Sequence, residues 1–228
     1  MRRELDHDFF KEWSSEMAYV LGYFAADGAM IRNKRKAHFI EFTSTDRALL
    51  NLVRRVVVST HKIQKRERKN GRTHWKAQYR LQIGSKEWFD DLTLLGFTQN
   101  KSRVLTFPNV PKKYFADFVR GYFDGDGCVY FNSDLYYANR KQARAILMTL
   151  FTSGSKPFLE QLWMQLKVRG VTGGSIQKKN RGFELRFSHK DSVALHRVLY
   201  HTCKVPGLWL PRKRDKLERA IWELAMRE

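Results

Sequence analysis

Val20-Leu21-Gly22-Tyr23-Phe24-Ala25-Ala26-Asp27-Gly28 returns in the second half of the chain as Val119-Arg120-Gly121-Tyr122-Phe123-Asp124-Gly125-Asp126-Gly127. Both copies read Gly-Tyr-Phe, two variable residues, then Asp-Gly. The pattern before each aspartate predicts a helix, over 15–26 and over 112–125, and Gly28 and Gly127 are expected to stop it as glycine does at helix C termini. Gly22 and Ala26, like Gly121 and Gly125, lie four residues apart and give each helix one small face. A glycine inside a helix costs roughly 1 kcal/mol against alanine, so Gly22 and Gly121 call for a packing reason. Two helices lying backbone to backbone supply one. Packed in pseudo-two-fold symmetry, such helices are expected to bring Asp27 and Asp126 together.

The repeat extends beyond these nine residues, which marks it as a duplication. Glu41-Phe42-Thr43-Ser44 precedes a helical stretch over 46–58, and Leu150-Phe151-Thr152-Ser153 precedes another over 156–169. Lys76 to Ile83 and Phe183 to Ser188 then alternate with period two, as half-buried strands do. Asn100-Lys101-Ser102-Arg103 and Pro211-Arg212-Lys213-Arg214 each close a half with a basic cluster. Each half therefore reads helix, two strands, helix, two strands, helix, an α+β arrangement. Phe107-Pro108-Asn109-Val110-Pro111 suits an extended connector, so the halves are expected to be 1–107 and 108–228.

Lys and Arg number 43 against 23 acids, a formal net charge of +20, and a chain so basic calls for a polyanionic partner, nucleic acid first. No apolar run reaches the length of a membrane span. The first eight residues carry three acids and no apolar stretch, so no secretory signal is read there and an intracellular place is expected, in the cytoplasm, the nucleoid or an organelle. Cys128 and Cys203 form no metal-ligand spacing and no disulfide framework; both are expected to be small packed hydrophobes. The seven histidines are scattered and none is assigned to a metal.

A helix C terminus is the negative pole of its dipole and offers unpaired carbonyls. Two such poles with two carboxylates repel strongly, and hard divalent cations relieve the repulsion by accepting carboxylate and carbonyl oxygens together. Asp27 and Asp126 are thus read as a magnesium site.

The paired motifs resemble those of the LAGLIDADG homing endonucleases, in the form that carries both motifs in one chain, and the resemblance covers nearly the whole sequence. It implies two αββαββα halves, each with a four-stranded saddle-shaped antiparallel sheet that straddles DNA. It also implies hydrolysis of both strands across the minor groove, by a monomer with internal pseudo-two-fold symmetry, of the kind often encoded in an intron. The implied metal ligands are the last acids, Asp27 and Asp126, with the backbone carbonyls of Ala26 and Gly125. Two or more Mg2+ ions are implied, with Mn2+ as a substitute and Ca2+ binding without efficient cleavage. Lys101 and Lys213 match the basic residues that family members keep near the scissile phosphates, where an ammonium stabilises the extra charge of the transition state or polarises the attacking water. An RNA-splicing maturase, or a sequence-specific DNA-binding protein that does not cleave, is the alternative on the same fold.

Double-stranded DNA would be read by the sheets. Lys76, Gln78, Arg80 and Gln82 alternate onto one strand face with few acids interrupting it, and Arg and Gln are the side chains that pair with guanine and adenine in the major groove. Gln64, Arg66, Arg68, Lys69 and Arg72 form an adjoining hairpin arm, and Arg32, Lys34, Arg35 and Lys36 lie at and beside the tip of the preceding hairpin. In the second half the candidates are Tyr130, Asn132, Asn139, Arg140, Lys141 and Arg144 around one hairpin, and Gln177, Lys178, Lys179, Asn180 and Arg181, with Arg186 on the following strand, around the other. The two sets differ, so a long non-palindromic target is expected.

Overall fold

The computed structural model describes residues 3–66, 77–135, 144–201 and 203–226. The chain divides into two compact units, one made of Met1–Lys101 and Pro108–Gly125, the other of Ser102–Phe107 and Asp126–Glu228. Each holds one four-stranded antiparallel sheet.

In the first unit, α1 (Ser15–Asp27) runs into β1 (Gly28–Arg32) and β2 (His38–Ser44), α2 (Arg47–Val56) leads to β3 (Ile63–Arg66) and β4 (Gln78–Gly84), and α3 (Lys86–Leu94) follows. The strand order is β1-β2-β4-β3. Ser14 caps α1, its hydroxyl accepting from the Met17 amide at 3.0 Å, and Asp46 and Ser85 cap α2 and α3 in the same manner. Period-two alternation sends Ile40 and Phe42 of β2 and Leu81 and Ile83 of β4 inward, where all four are fully buried. Tyr23 and Phe24 of α1 pack on Phe42 with ring centroids 5.8 and 5.7 Å apart. The Tyr23 hydroxyl also donates to the Thr43 carbonyl at 2.8 Å, which fixes the motif helix on the sheet. α4 (Phe115–Asp126) enters through a 3-10 turn, Lys112–Tyr114, after the extended Pro111.

The second unit repeats this plan with β5 (Gly127–Leu135), β6 (Arg144–Ser153), α5 (Lys156–Lys167), β7 (Ser175–Lys179) and β8 (Gly182–Ser188), in the order β5-β6-β8-β7. α6 (His189–His196) then passes through a π-helical turn, Arg197–His201, before α7 (Pro211–Ala225). The basic clusters that look alike in sequence end differently. Lys101–Arg103 is one 3-10 turn, whereas Pro211 opens the fifteen residues of α7, which packs on β5. One sequence expectation fails here: Cys128 is exposed rather than packed. No helix among the described residues is long and apolar enough to cross a membrane.

Candidate functional site

The small faces of α1 and α4 meet. A Cβ on Gly22 would lie 1.9 Å from the Phe118 carbonyl oxygen, and one on Gly121 would lie 1.9 Å from the Tyr19 carbonyl oxygen. The two glycines thus occupy reciprocal places, each admitting the other helix's backbone. Toward the C-terminal ends, a Cβ on Gly125 would fall 2.5 Å from the Ala26 Cβ and 3.4 Å from an Asp27 carboxylate oxygen. There is room at that point for one methyl group, and Ala26 carries it. Asp27 therefore stands where α1 ends, against the last turn of α4, and Asp126 follows Gly125 directly.

Gly28 does not stop α1 in the expected way. Its φ of −90° and ψ of 156° are extended, so the helix passes straight into β1 and no left-handed cap forms. Glycine is needed because a Cβ would sit 2.1 Å from the Phe24 ring. Left-handed glycines do follow α3 and α5, at Gly96 and Gly170.

Lys101 reaches this place from the turn after α3. It is 4% exposed, and its ammonium donates to the Ala25 carbonyl at 2.8 Å. That carbonyl belongs to the last turn of α1, so the cation sits at the negative pole of the motif helix, two residues from Asp27. Thr43 donates weakly from the other side, Oγ1 to the Asp27 carbonyl at 3.4 Å. Lys213, in the first turn of α7, is 6% exposed. Both lysines are buried, unlike most of the cations in this chain, and burying an ammonium is expensive unless oxygen ligands surround it. Asp124, at the other acidic position of the second motif, accepts from the Tyr19 hydroxyl at 2.7 Å and is 2% exposed; beside it Arg120 is fully buried and pairs with Asp117. Among the described residues no three His, Cys, Asp or Glu side chains converge. The donor set at α1 is carboxylate and backbone carbonyl oxygen, which suits a hard cation such as Mg2+.

The register sorts the remaining candidates by face. On the first sheet Arg66, Gln78, Arg80, Gln82 and Gln64 share the face opposite Phe42. They share it with an acid missed in the sequence, Glu41. This residue is 6% exposed; its carboxylate accepts from Arg80 Nη1 and Gln82 Nε2, each at 3.4 Å, and pairs with Arg66 at 3.6 Å. Gln64 accepts from the other Arg80 terminus. The face expected to be short of acids is thus organised around one, contributed by the neighbouring strand. Its alternation with Ile40 and Phe42 places it on that face, and strand pairing supplies its partners. Arg32 stands on the opposite face, that of Met30, with its amide donating to Gln99. Lys34, Arg35 and Lys36 lie at an exposed turn that the Asn33 side chain holds by accepting from the Arg35 and Ala37 amides.

On the second sheet Tyr130 and Asn132 point to the open face with Gln177, Lys179 and Arg186. Lys178 alternates to the other face, and Asn180 and Arg181 form the β7–β8 turn. Glu184 is the acid of this face, pairing with Arg186 and, at 3.5 Å, with Lys179. Arg68, Lys69, Arg72, Lys76, Asn139, Arg140, Lys141 and the side chain of Arg144 lie outside the described residues.

Residues 14–93 match the model of the LAGLIDADG-like domain. The chain has the fold of solved LAGLIDADG homing endonucleases. It is 18% identical to the homing endonuclease I-WcaI bound to its DNA recognition sequence, with a TM-score of 0.58 over 92% of this chain and 90% of that one. I-AabMI, a LAGLIDADG meganuclease bound to uncleaved DNA, is 14% identical with a TM-score of 0.60 over 92% and 90%. The I-SmaMI LAGLIDADG homing endonuclease bound to cleaved DNA is 14% identical with a TM-score of 0.60 over 95% and 90%. Among curated proteins, the DNA-directed RNA polymerase subunit Rpo1C of Methanocaldococcus jannaschii is 23% identical over 97% of this chain. The chain spans about a fifth of that relative's length, 22%.

Proposed function

We propose that this protein is a site-specific, magnesium-dependent DNA endonuclease that hydrolyses one phosphodiester in each strand of a long non-palindromic site. The observation that carries the reading is Asp27, set where α1 ends against the last turn of the glycine-faced motif helix packed on it, with a buried lysine bonded to the helix end beside it. Asp126 occupies the same place in the second motif. A net charge of +20 and two sheet faces carrying Arg, Lys and Gln supply the DNA surface.

In this reading Asp27 and Asp126, with the carbonyls of Ala26 and Gly125, hold the cations. A bound Mg2+ supplies Lewis-acid polarisation of the scissile phosphate and lowers the pKa of an attacking water. The chain's own groups do the remaining work. Lys101, and Lys213 in the second unit, offset negative charge that grows on the phosphate oxygens. The sheets hold the duplex and select its sequence, while base pairs above the cations are selected by the ease of bending.

The test is Asp27→Asn and Asp126→Asn, each assayed on a randomised duplex library in magnesium and in calcium. Double-strand cleavage is expected to disappear in both variants with DNA binding retained. Full activity in both would overturn the assignment, and structured-RNA binding without DNA cleavage would favour a maturase.

A further inference from the structure

The two open sheet faces correspond position by position, and they differ most along their central strands. Ala29 pairs with Glu41 in the first sheet, and Cys128 pairs with Leu150 in the second. Phe39 in the same way corresponds to Met148. Where the first face has a carboxylate that gathers Arg66, Arg80 and Gln82, the second has a leucine. The central strand β6 presents Ile146, Met148 and Leu150 on its open face, with Tyr130 and Cys128 beside them on β5. Ile146 and Met148 are half-buried, Leu150 is 9% exposed and Tyr130 is 40% exposed. An apolar stripe thus runs through a face that carries Arg186 opposite Leu150 on β8 and Lys179 on the edge strand β7.

We infer that this stripe reads thymine 5-methyl groups, so that the second sheet takes a half-site richer in thymine than the first, where Glu41 interrupts the row that Ile31 and Phe39 begin. The inference rests on the DNA-binding reading above. Thymine is the base whose major-groove edge presents an apolar group; every other edge there is made of donors and acceptors. Covering those polar edges with Met and Ile leaves them unpaired at a cost, so the stripe rejects as well as selects. The spacing also suits the task. Alternate residues of a strand are about 6.8 Å apart, about two steps of the 3.4 Å rise of a DNA strand. Arg186 and Lys179, on the strands beside the stripe, supply the complementary charge for the phosphates beside such a half-site.

The experiment uses the full chain and DNA altered by one carbon. A binding site is selected from a randomised duplex library in calcium, and thymines are then replaced by deoxyuridine in one half-site or the other. Loss of a methyl is expected to weaken binding roughly three- to five-fold per base in one half-site and less in the other. Met148→Ala, or Ile146→Ala should the first fail to fold, is expected to remove that sensitivity. A selected site whose affinity ignores uracil substitution would overturn the inference and leave the endonuclease reading standing. Failure to select any duplex sequence, or preference for structured RNA, would overturn both.

Discussion

Tyr19 on α1 donates its hydroxyl to the Asp124 carboxylate on α4 at 2.7 Å, and the positions that correspond to them in the other repeat are Phe118 and Ala25. The hydrogen bond therefore has no symmetry mate. Arg120, fully buried and 5.9 Å from the Tyr19 ring centroid, stands where the first motif has Leu21. These polar groups favour α1 against α4 over either helix against a copy of itself, because mispairing would strand a buried charge. Tyr19→Phe is expected to destabilise the protein by about 2 kcal/mol, read as a lower urea midpoint with an unchanged denaturant slope.

Gly22→Ala and Gly121→Ala each drive a methyl into the partner helix's backbone. Each is expected to cost about 3 kcal/mol or more, since backbone on both sides cannot yield as a side chain would. Gly84→Ala is the control. Its Cβ would meet nothing closer than 3.5 Å, and its thermal midpoint should stay near that of the parent protein.

Glu41→Gln removes the carboxylate that restrains Arg66 and Arg80. Affinity for random duplex DNA is expected to rise about five-fold, ~1 kcal/mol, with discrimination falling and the salt dependence steepening as released arginines meet phosphates. Titrations of specific and random duplexes at several salt concentrations measure all three.

Lys101→Met leaves the α1 carbonyls at Ala25 without their ammonium donor. In the proposed endonuclease the cleavage rate is expected to fall about a hundred-fold while duplex affinity stays near its original value. Single-turnover cleavage beside a binding titration separates the two, and equal losses in both would show that the lysine only supports the fold.

His196 titrates below its ordinary value. Burial is the larger cause and outweighs the opposing pull of the Glu218 carboxylate at 3.3 Å, while His201 and Arg214 push the same way as burial. The unfolded chain accepts its proton near pH 6.5 and the folded chain only at lower pH, so this residue leaves stability unchanged above about pH 7 and lowers it as the pH falls through that window. Urea unfolding at pH 7.5 and 5.5 should show a drop that His196→Phe makes smaller.

The duplication, the α+β order of elements, both helix-embedded glycines and the basic character of the partner surface follow from residue spacing alone, because period and side-chain size act locally along the chain. The motif aspartates were visible for the same reason. Three features depended on register and on contacts between distant segments. Glu41 and Leu150 look equivalent in the aligned repeats, yet only strand pairing shows that one gathers arginines on an open face while the other continues an apolar stripe. Gly28 reads as a helix stop until the Phe24 ring is seen to fill the space its side chain would need. Lys101 is singled out by the repeat and the resemblance, yet its burial and its bond to the Ala25 carbonyl at the end of α1 arise only from folding. Local preferences name the elements, whereas burial and pairing partners are set by segments tens of residues away, and the charge and shape of the site depend on those.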